Sequence, residues 1–436
     1  MSIRRVVSLG LLAVALAPWT VGSVRAQEGE TALGRLQATM QAAVASGPAL
    51  PLLAASMEAT RAGYAAATGA GAPSLEVQRE GFKGFFDNQL NSIWYLRART
   101  PFNAPWQSSH NEALDEGVTE WQSLERRARL LEVAARAGGR WLELAAETER
   151  IELLRARVER MDRALRIQQR RYDVGEVSGS EVTQLELERL VDLAQLRQSE
   201  ANSAALASAI RALLGADFPP PRQGDLAALR TSTGELPGAA AIPQAAQSSA
   251  SVRAAQSRGQ AERRWGELLD ATVWGRPELA VEFEHIPAVG GAPGFNGWGF
   301  MLNVPLPFGR AGNERVTEAL ARARSYDAEA RRLALDLERQ LEEAASASDN
   351  AARVLEDFGP TLARAPEIQN SLADQFRLGA ISYLVYIDGL TRLDEVQLQA
   401  VASRLTLLSA RLHAATILDL PSIFPLPAAA PSERRP

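Results

Sequence analysis

Cysteine is absent from this 436-residue chain. That excludes disulfides, thiolate metal centres and lipid attachment through an N-terminal thiol, so stability must come from burial and assembly. Histidine is scarce: His110, His285 and His413 are isolated, with no metal-ligand spacing, and neither metal nor cofactor is expected. Lys83 is the single lysine, and arginine supplies the other basic charges, a skew that carries no functional reading. A net charge of −5 leaves no footprint for nucleic acid. Long apolar runs are missing too. Beyond the first residues none reaches the roughly 18–20 residues of a spanning helix. The mature chain is therefore soluble or spans a membrane as a β-barrel. Enzyme motifs are absent. Gly175-Glu176-Val177-Ser178-Gly179 is no nucleophile elbow, because the serine is misplaced and no strand precedes it. Gly291, Gly294 and Gly297 lack a strand-to-helix context, and no Walker sequence exists, so any energy must come from a partner.

What is present begins with an export leader over residues 1–26. Arg4 and Arg5 supply its positive end, Val6 to Ala17 its apolar core, and Val24-Arg25-Ala26 a small-residue cleavage site.

The rest of the chain matches itself at a fixed offset. Pro73, Leu75 and Val77 recur as Pro277, Leu279 and Val281; Trp94 and Pro101 recur as Trp298 and Pro305; Gly175 and Ser178 recur as Gly379 and Ser382. Each pair is 204 residues apart (277 − 73), with no gap between anchors. A half-length repeat sets the architecture before any local reading. The first copy covers 27–214, a connector 215–245, and the second copy 246–418.

Each copy reads as helix, two strands, long helix, turn and returning helix. In 31–69 the residues Leu33, Leu36, Met40 and Ala43 follow helical spacing, interrupted by Pro48 and Pro51. Period-2 alternation predicts strands at 74–82, 93–102, 277–286 and 296–306. Leu75, Val77, Trp94, Leu96, Phe283, Trp298, Phe300 and Leu302 share one face; Glu76, Glu80, Arg97, Arg99, Glu282 and Glu284 share the other. Trp106 and Trp274 lie beside the strands. Such alternation suits a water-filled barrel, apolar to lipid and polar to the lumen. Long helices follow at 107–171 and 313–378, the second broken late by Pro360 and Pro366. A helix of about 65 residues is about 100 Å long, beyond globular norms. Tip turns follow at 172–179 and 376–382. Gly175 and Gly379 close one helix and Ser178 and Ser382 cap the next, at 180–214 and 383–418. The connector reads as irregular, and the Pro/Ala-rich tail, 419–436, as disordered.

Taken together, the paired Tyr172…Gly175…Ser178 and Phe376…Gly379…Ser382 turns resemble those of TolC-type outer-membrane efflux proteins. Val304-Pro305-Leu306-Pro307-Phe308-Gly309-Arg310 is similar to the Pro-Leu-Pro segment of the CzcC/CusC branch, and Gly47-Pro48-Ala49-Leu50 to its early Asn-Pro-Glu-Leu, with Gly and Ala substituted. The resemblance spans nearly all of the mature chain. It implies a mainly α fold with a small β part: a homotrimer whose protomers each give four strands to a 12-stranded outer-membrane barrel, above a helical tube in the periplasm. It also implies a periplasmic adaptor and an inner-membrane pump of the resistance–nodulation–division type as partners. Tyr172, Gly175, Val177, Ser178, Phe376, Gly379, Ile381 and Ser382 become adaptor-docking positions. Glu181 and Asp388 become charges at the periplasmic entrance, although Val385 stands where the family's best-known member has a second carboxylate. The competing readings are a soluble periplasmic adaptor, which should have one hairpin and no duplicated strands, and a secreted coiled-coil protein, which should show heptads without strand pairs.

Overall fold

The computed structural model describes residues 31–46, 49–69, 71–83, 90–272, 276–288, 293–304 and 311–424. The leader, Gly47-Pro48, Trp274, the Pro305–Arg310 run and the tail from residue 425 lie outside the described residues, as does the ring of Trp106.

Helices α1 (Ala32–Ser46) and α2 (Ala49–Thr68) lead into strands β1 (Ser74–Lys83) and β2 (Leu90–Pro101). Helix α3 (Pro105–Asp173) runs away from the sheet and α4 (Gly179–Leu214) returns beside it. The connector contributes α5 (Asp225–Ser232) and α6 (Ile242–Gln247). The second copy supplies α7 (Ala250–Ala271), β3 (Glu278–Ile286), β4 (Phe295–Asn303), α8 (Ala311–Ala363), α9 (Ala365–Arg377) and α10 (Tyr383–Leu418). The repeat is geometric as well as sequential. Helices α4 and α10 begin and end 204 residues apart, and so do the last residues of α3 and α9.

Helix α3 has 69 residues and is about 100 Å long at about 1.5 Å per residue. Its one proline is at the first position, where the missing N–H costs nothing. Leu130, Ala134, Trp141, Leu144, Val158 and Met161 form its buried stripe. Gly138 has a packing reason: a Cβ there would lie 3.1 Å from Met40 Sδ and 3.2 Å from a Leu412 methyl, so α1 and α10 close on α3 only over glycine.

The main core sits midway along the helices. Trp141 is fully buried among Leu36, Met40, Leu142, Leu226 and Leu229, and its indole N–H donates to the Pro219 carbonyl at 3.0 Å. That bond satisfies the polar edge of a buried ring. The connector is therefore corrected: it is not irregular but forms two short helices, and Leu226, Leu229 and Ile242 are core residues. A buried Arg35–Asp225 ion pair ties it to α1, and Arg411 ties it to α10 by donating to Thr233 Oγ1 at 2.7 Å. Asp225 also accepts from the Arg222 N–H at 2.8 Å. The tail is corrected at its start: residues 419–424, expected to be disordered, join the same belt, with Phe424 fully buried and the Gly234 N–H donating to the Ile423 carbonyl at 2.9 Å.

Two more expectations are corrected. Pro360 does not break its helix; α8 runs through it to Ala363, and the break falls at Arg364, with Pro366 in the first turn of α9. A proline crowds the Cβ of the residue before it, and Gly359 has none, so helical backbone is tolerated there. The tip turns are also shorter than expected: Tyr172 still belongs to α3 and Phe376 to α9.

The four strands form one antiparallel sheet in the order β1-β2-β3-β4, so the β2–β3 pairing joins the two copies. Strands β1 and β4 are its edges.

Candidate functional site

Three places bear on function: the two faces of the sheet, the two helix-pair tips, and a buried charge cluster above the tips.

The register places the predicted outward residues in rows. Leu75, Ala98, Val281 and Phe300 form one row, and Val77, Leu96, Phe283 and Trp298 the next. Phe300 is 79% exposed and Trp298 71%, with Leu75, Val77, Leu279 and Leu302 also exposed. Contiguous exposure of large apolar side chains on this scale marks a contact with lipid or protein. On the opposite face lie Glu76, Arg97 and Glu282 in one row and Gln78, Tyr95 and Glu284 in the next. Arg97 Nε donates to Glu282 at 2.6 Å, and Arg99 Nη2 donates to Glu76 at 2.7 Å. Glu80 shares this face and accepts from Gln78 at 2.7 Å. Gly299 pairs with Glu282 and leaves it open space towards β4, whereas at Gly297, the partner of Glu284, the Phe295 ring lies over the glycine.

At the tips, Gly175 and Gly379 adopt φ of 79° and 72°, the left-handed region where a side chain is strained. Their N–H groups close the turns on the Tyr172 and Phe376 carbonyls. Ser178 and Ser382 occupy the capping positions but differ. The Ser382 hydroxyl accepts from the Val385 N–H at 3.3 Å, whereas Ser178 caps no backbone group and donates to Glu181 at 3.3 Å. Val177 and Ile381 are half-buried, and Tyr172 lies against Gly179. Phe376 stacks on Tyr386 at 5.1 Å and meets Tyr383 edge-on at 5.4 Å, over Met161, Leu185 and Ile387. Burial pushes the Tyr383 phenol well above its ordinary range. Two residues outside the expected set dominate the tip surface: Val174, 71% exposed, and Leu378, 83% exposed. Both immediately precede a tip glycine and stand 204 residues apart, so the repeat itself was a signal for them.

The entrance charges are locally engaged. Glu181 sits in the first turn of α4, and Asp388 pairs with Arg392 at 2.9 Å on the exposed side of α10. The buried charges lie elsewhere. Asp192 of α4 pairs with Arg157 at 2.9 Å, and Asp394 of α10 pairs with Arg160. Helix α3 is thereby clamped on both flanks. Burial raises both carboxyls, against the lowering pull of their arginines. Their signal was a carboxylate on an apolar stripe: Val182, Leu185, Asp192 and Leu196 share one buried face of α4.

A groove of about 610 Å³ opens between α3, α7, α8 and α10, where the Arg258 guanidinium lies 4.8 Å from the Trp121 ring and 4.3 Å from that of Tyr326. Among the described residues no group of three or more acidic or histidine side chains could hold a metal, and no helix is long and apolar enough to cross a membrane.

A scan against protein-family models and a search of curated proteins find no match. Solved structures do match. CusC, studied for its transmembrane channel formation, superimposes with a TM-score of 0.70 at 11% identity, over 89% of this chain and 93% of its own. The CmeC outer membrane channel of Campylobacter jejuni gives 0.66 at 12% identity, over 88% and 85%. The MtrE outer membrane channel of Neisseria gonorrhoeae, in its open state, gives 0.66 at 11% identity, over 91% of each chain. At such identities the likeness establishes the fold: this chain is folded as these outer-membrane channels are.

Proposed function

We propose that this chain is the outer-membrane exit duct of a tripartite exporter, working as a homotrimer. One observation carries the reading: the sheet is apolar outside, acidic inside and open at both edges. By the repeat, β4 is the counterpart of β2, and β1 that of β3. Since β2 pairs with β3, β4 of one copy has the matching edge for β1 of the next. Such head-to-tail pairing closes into a ring and removes the edges.

The helices support the same closure. Helix α10 packs on both α8 and α3, and α7 likewise packs on α8 and α3. Their counterparts α4 and α2 pack on α3 within this chain, α2 only slightly. Leu187, Leu190 and Val191 of α4 and Leu52 of α2 remain exposed, facing where the next copy's α8 would stand. Three copies give twelve strands and a continuous helical tube, as the resemblance implies.

The duct performs no chemistry of its own. Adaptor hairpins dock at the tips around Gly175 and Gly379, and Val174 and Leu378 join the docking set. An inner-membrane pump of the resistance–nodulation–division type drives transport. In the barrel Glu76, Glu80, Glu278, Glu282 and Glu284 outnumber Arg97 and Arg99, so the exit favours cations.

The test is detergent extraction from outer membranes followed by mass measurement and planar-bilayer recording. A trimer whose reversal potential favours cations is expected. A monomer that stays soluble without detergent would remove the model.

A further inference from the structure

The outward face of the sheet is not apolar to its end. Beyond the Val77–Leu96–Phe283–Trp298 row, on the side away from the helices, the next row reads Arg79, Trp94, His285 and Asn296. All four side chains are exposed. The Arg79 guanidinium lies 5.2 Å from the centre of the Trp94 ring, and His285 Nδ1 sits 2.7 Å from Asn296 Oδ1. No carboxylate among the described residues forms an ion pair with Arg79, whereas both arginines of the inward face are paired with glutamates.

The depth of this row is informative. From Phe102 to Trp94 is about 27 Å of strand at about 3.4 Å per residue. At a tilt of 35–45° that is about 20 Å along the membrane normal, close to the height of about 25 Å of an outer-membrane apolar band. The row therefore borders the band at the leaflet remote from the periplasmic helices. An arginine in mid-band would be costly, but at the border it meets headgroups, and its planar fork suits a phosphate. The contact with the Trp94 ring limits the rotamers of the guanidinium and holds it at the surface.

We propose that the Arg79–Trp94–His285–Asn296 row binds the phosphate of an outer-leaflet phosphorylated glycolipid. Arg79 carries the charge, Trp94 holds the guanidinium in place, and His285, two strands away at about 10 Å, supplies a second polar contact to the same headgroup. The proposal rests on the duct reading, which places the sheet in the outer membrane.

The test uses the full chain as a detergent-extracted oligomer, titrated with diphosphorylated lipid A and, in parallel, with enzymatically dephosphorylated lipid A; bound lipid is counted by native mass spectrometry. The wild type is expected to retain the phosphorylated lipid about tenfold better, a preference that Arg79→Gln abolishes and Arg79→Lys partly keeps. Equal retention of the two lipids by the wild type overturns the proposal without recourse to any variant, as does unchanged preference in Arg79→Gln. Complete displacement of lipid by inorganic phosphate also overturns it, since the site would then serve a free anion. A chain that forms no oligomer overturns the duct reading and this one together. An oligomer that conducts but shows no phosphate preference overturns this one alone.

Discussion

The sheet and the middle of the helical stack place the same kinds of side chain in opposite surroundings. In the stack Trp141, Leu142, Leu36 and Met40 are fully buried, packed by neighbouring helices and by the connector. In the sheet Trp298, Phe300 and Leu75 point away from the protein, while glutamates and arginines pair on the other face. The difference teaches that hydrophobicity alone does not locate a core. The stack buries its large residues against the chain itself, whereas the sheet leaves its own uncovered by the chain. On the proposed duct reading the uncovered face meets lipid and the molecule spans two media.

The most severe way to break that contrast is to place a charge on the outward face. Phe300→Arg should cost about 2–4 kcal/mol per copy if the residue lies near the membrane midplane. In a closed ring the cost falls on every protomer, so no heat-resistant oligomer should be recovered from the outer-membrane fraction. If the sheet face were solvated, the same change would stay within about ±0.5 kcal/mol, and the oligomer would survive.

The matching change in the stack is Trp141→Ala. Removing a fully buried indole and its bond to Pro219 should cost about 3–5 kcal/mol, read as a lower thermal midpoint by circular dichroism. A midpoint unchanged within a degree would show that the connector does not close this core.

The buried clamp sharpens the contrast through pH. Asp192 and Asp394 are pushed up by burial despite Arg157 and Arg160. A carboxyl raised on folding binds its proton more tightly in the native chain. Its contribution to stability is then full below the ordinary carboxylate range and lost as pH rises through the raised value. The double variant Asp192→Asn/Asp394→Asn should therefore flatten the fall in thermal midpoint between about pH 4 and neutrality. An identical pH slope in wild type and variant would refute the assignment.

The smallest stability effect is expected at the tips. Val174→Ser with Leu378→Ser alters exposed side chains, so the melting curve should move by no more than about 0.5 kcal/mol. Crosslinking to the adaptor in cells should nonetheless fall sharply. Retained crosslinking would place the docking surface elsewhere.

Much of this architecture was legible because it is written in short periods. Leu75 and Val77 against Glu76 need only the two-residue alternation of a strand, and Leu36, Met40 and Ala43 only the spacing of a helix. The tip glycines were visible because a left-handed residue closes a helix and few others adopt that backbone. Val174 and Leu378 carry no turn chemistry of their own, so only their place before each glycine marks them. Asp192 and Asp394 break a buried stripe, and their partners on α3 lie tens to hundreds of residues away, so no window held both. The connector reads as irregular because four glycines and five prolines interrupt it and no periodicity survives between them. Its helices are held by Trp141, Arg35 and Arg411, all outside the segment.

The features that the chain determines by itself are local or repetitive: which stretches coil, which alternate, where they turn, and that everything occurs twice. Backbone sterics and side-chain period act over a few residues, so a linear reading suffices for them. Partnership needed three dimensions. That β2 meets β3 across the repeat boundary, that α3 is gripped from both sides by Asp192 and Asp394, and that Pro360 passes unbroken behind Gly359 all depend on packing. Packing energy is set by which distant surfaces meet, and no run of neighbouring residues contains that choice.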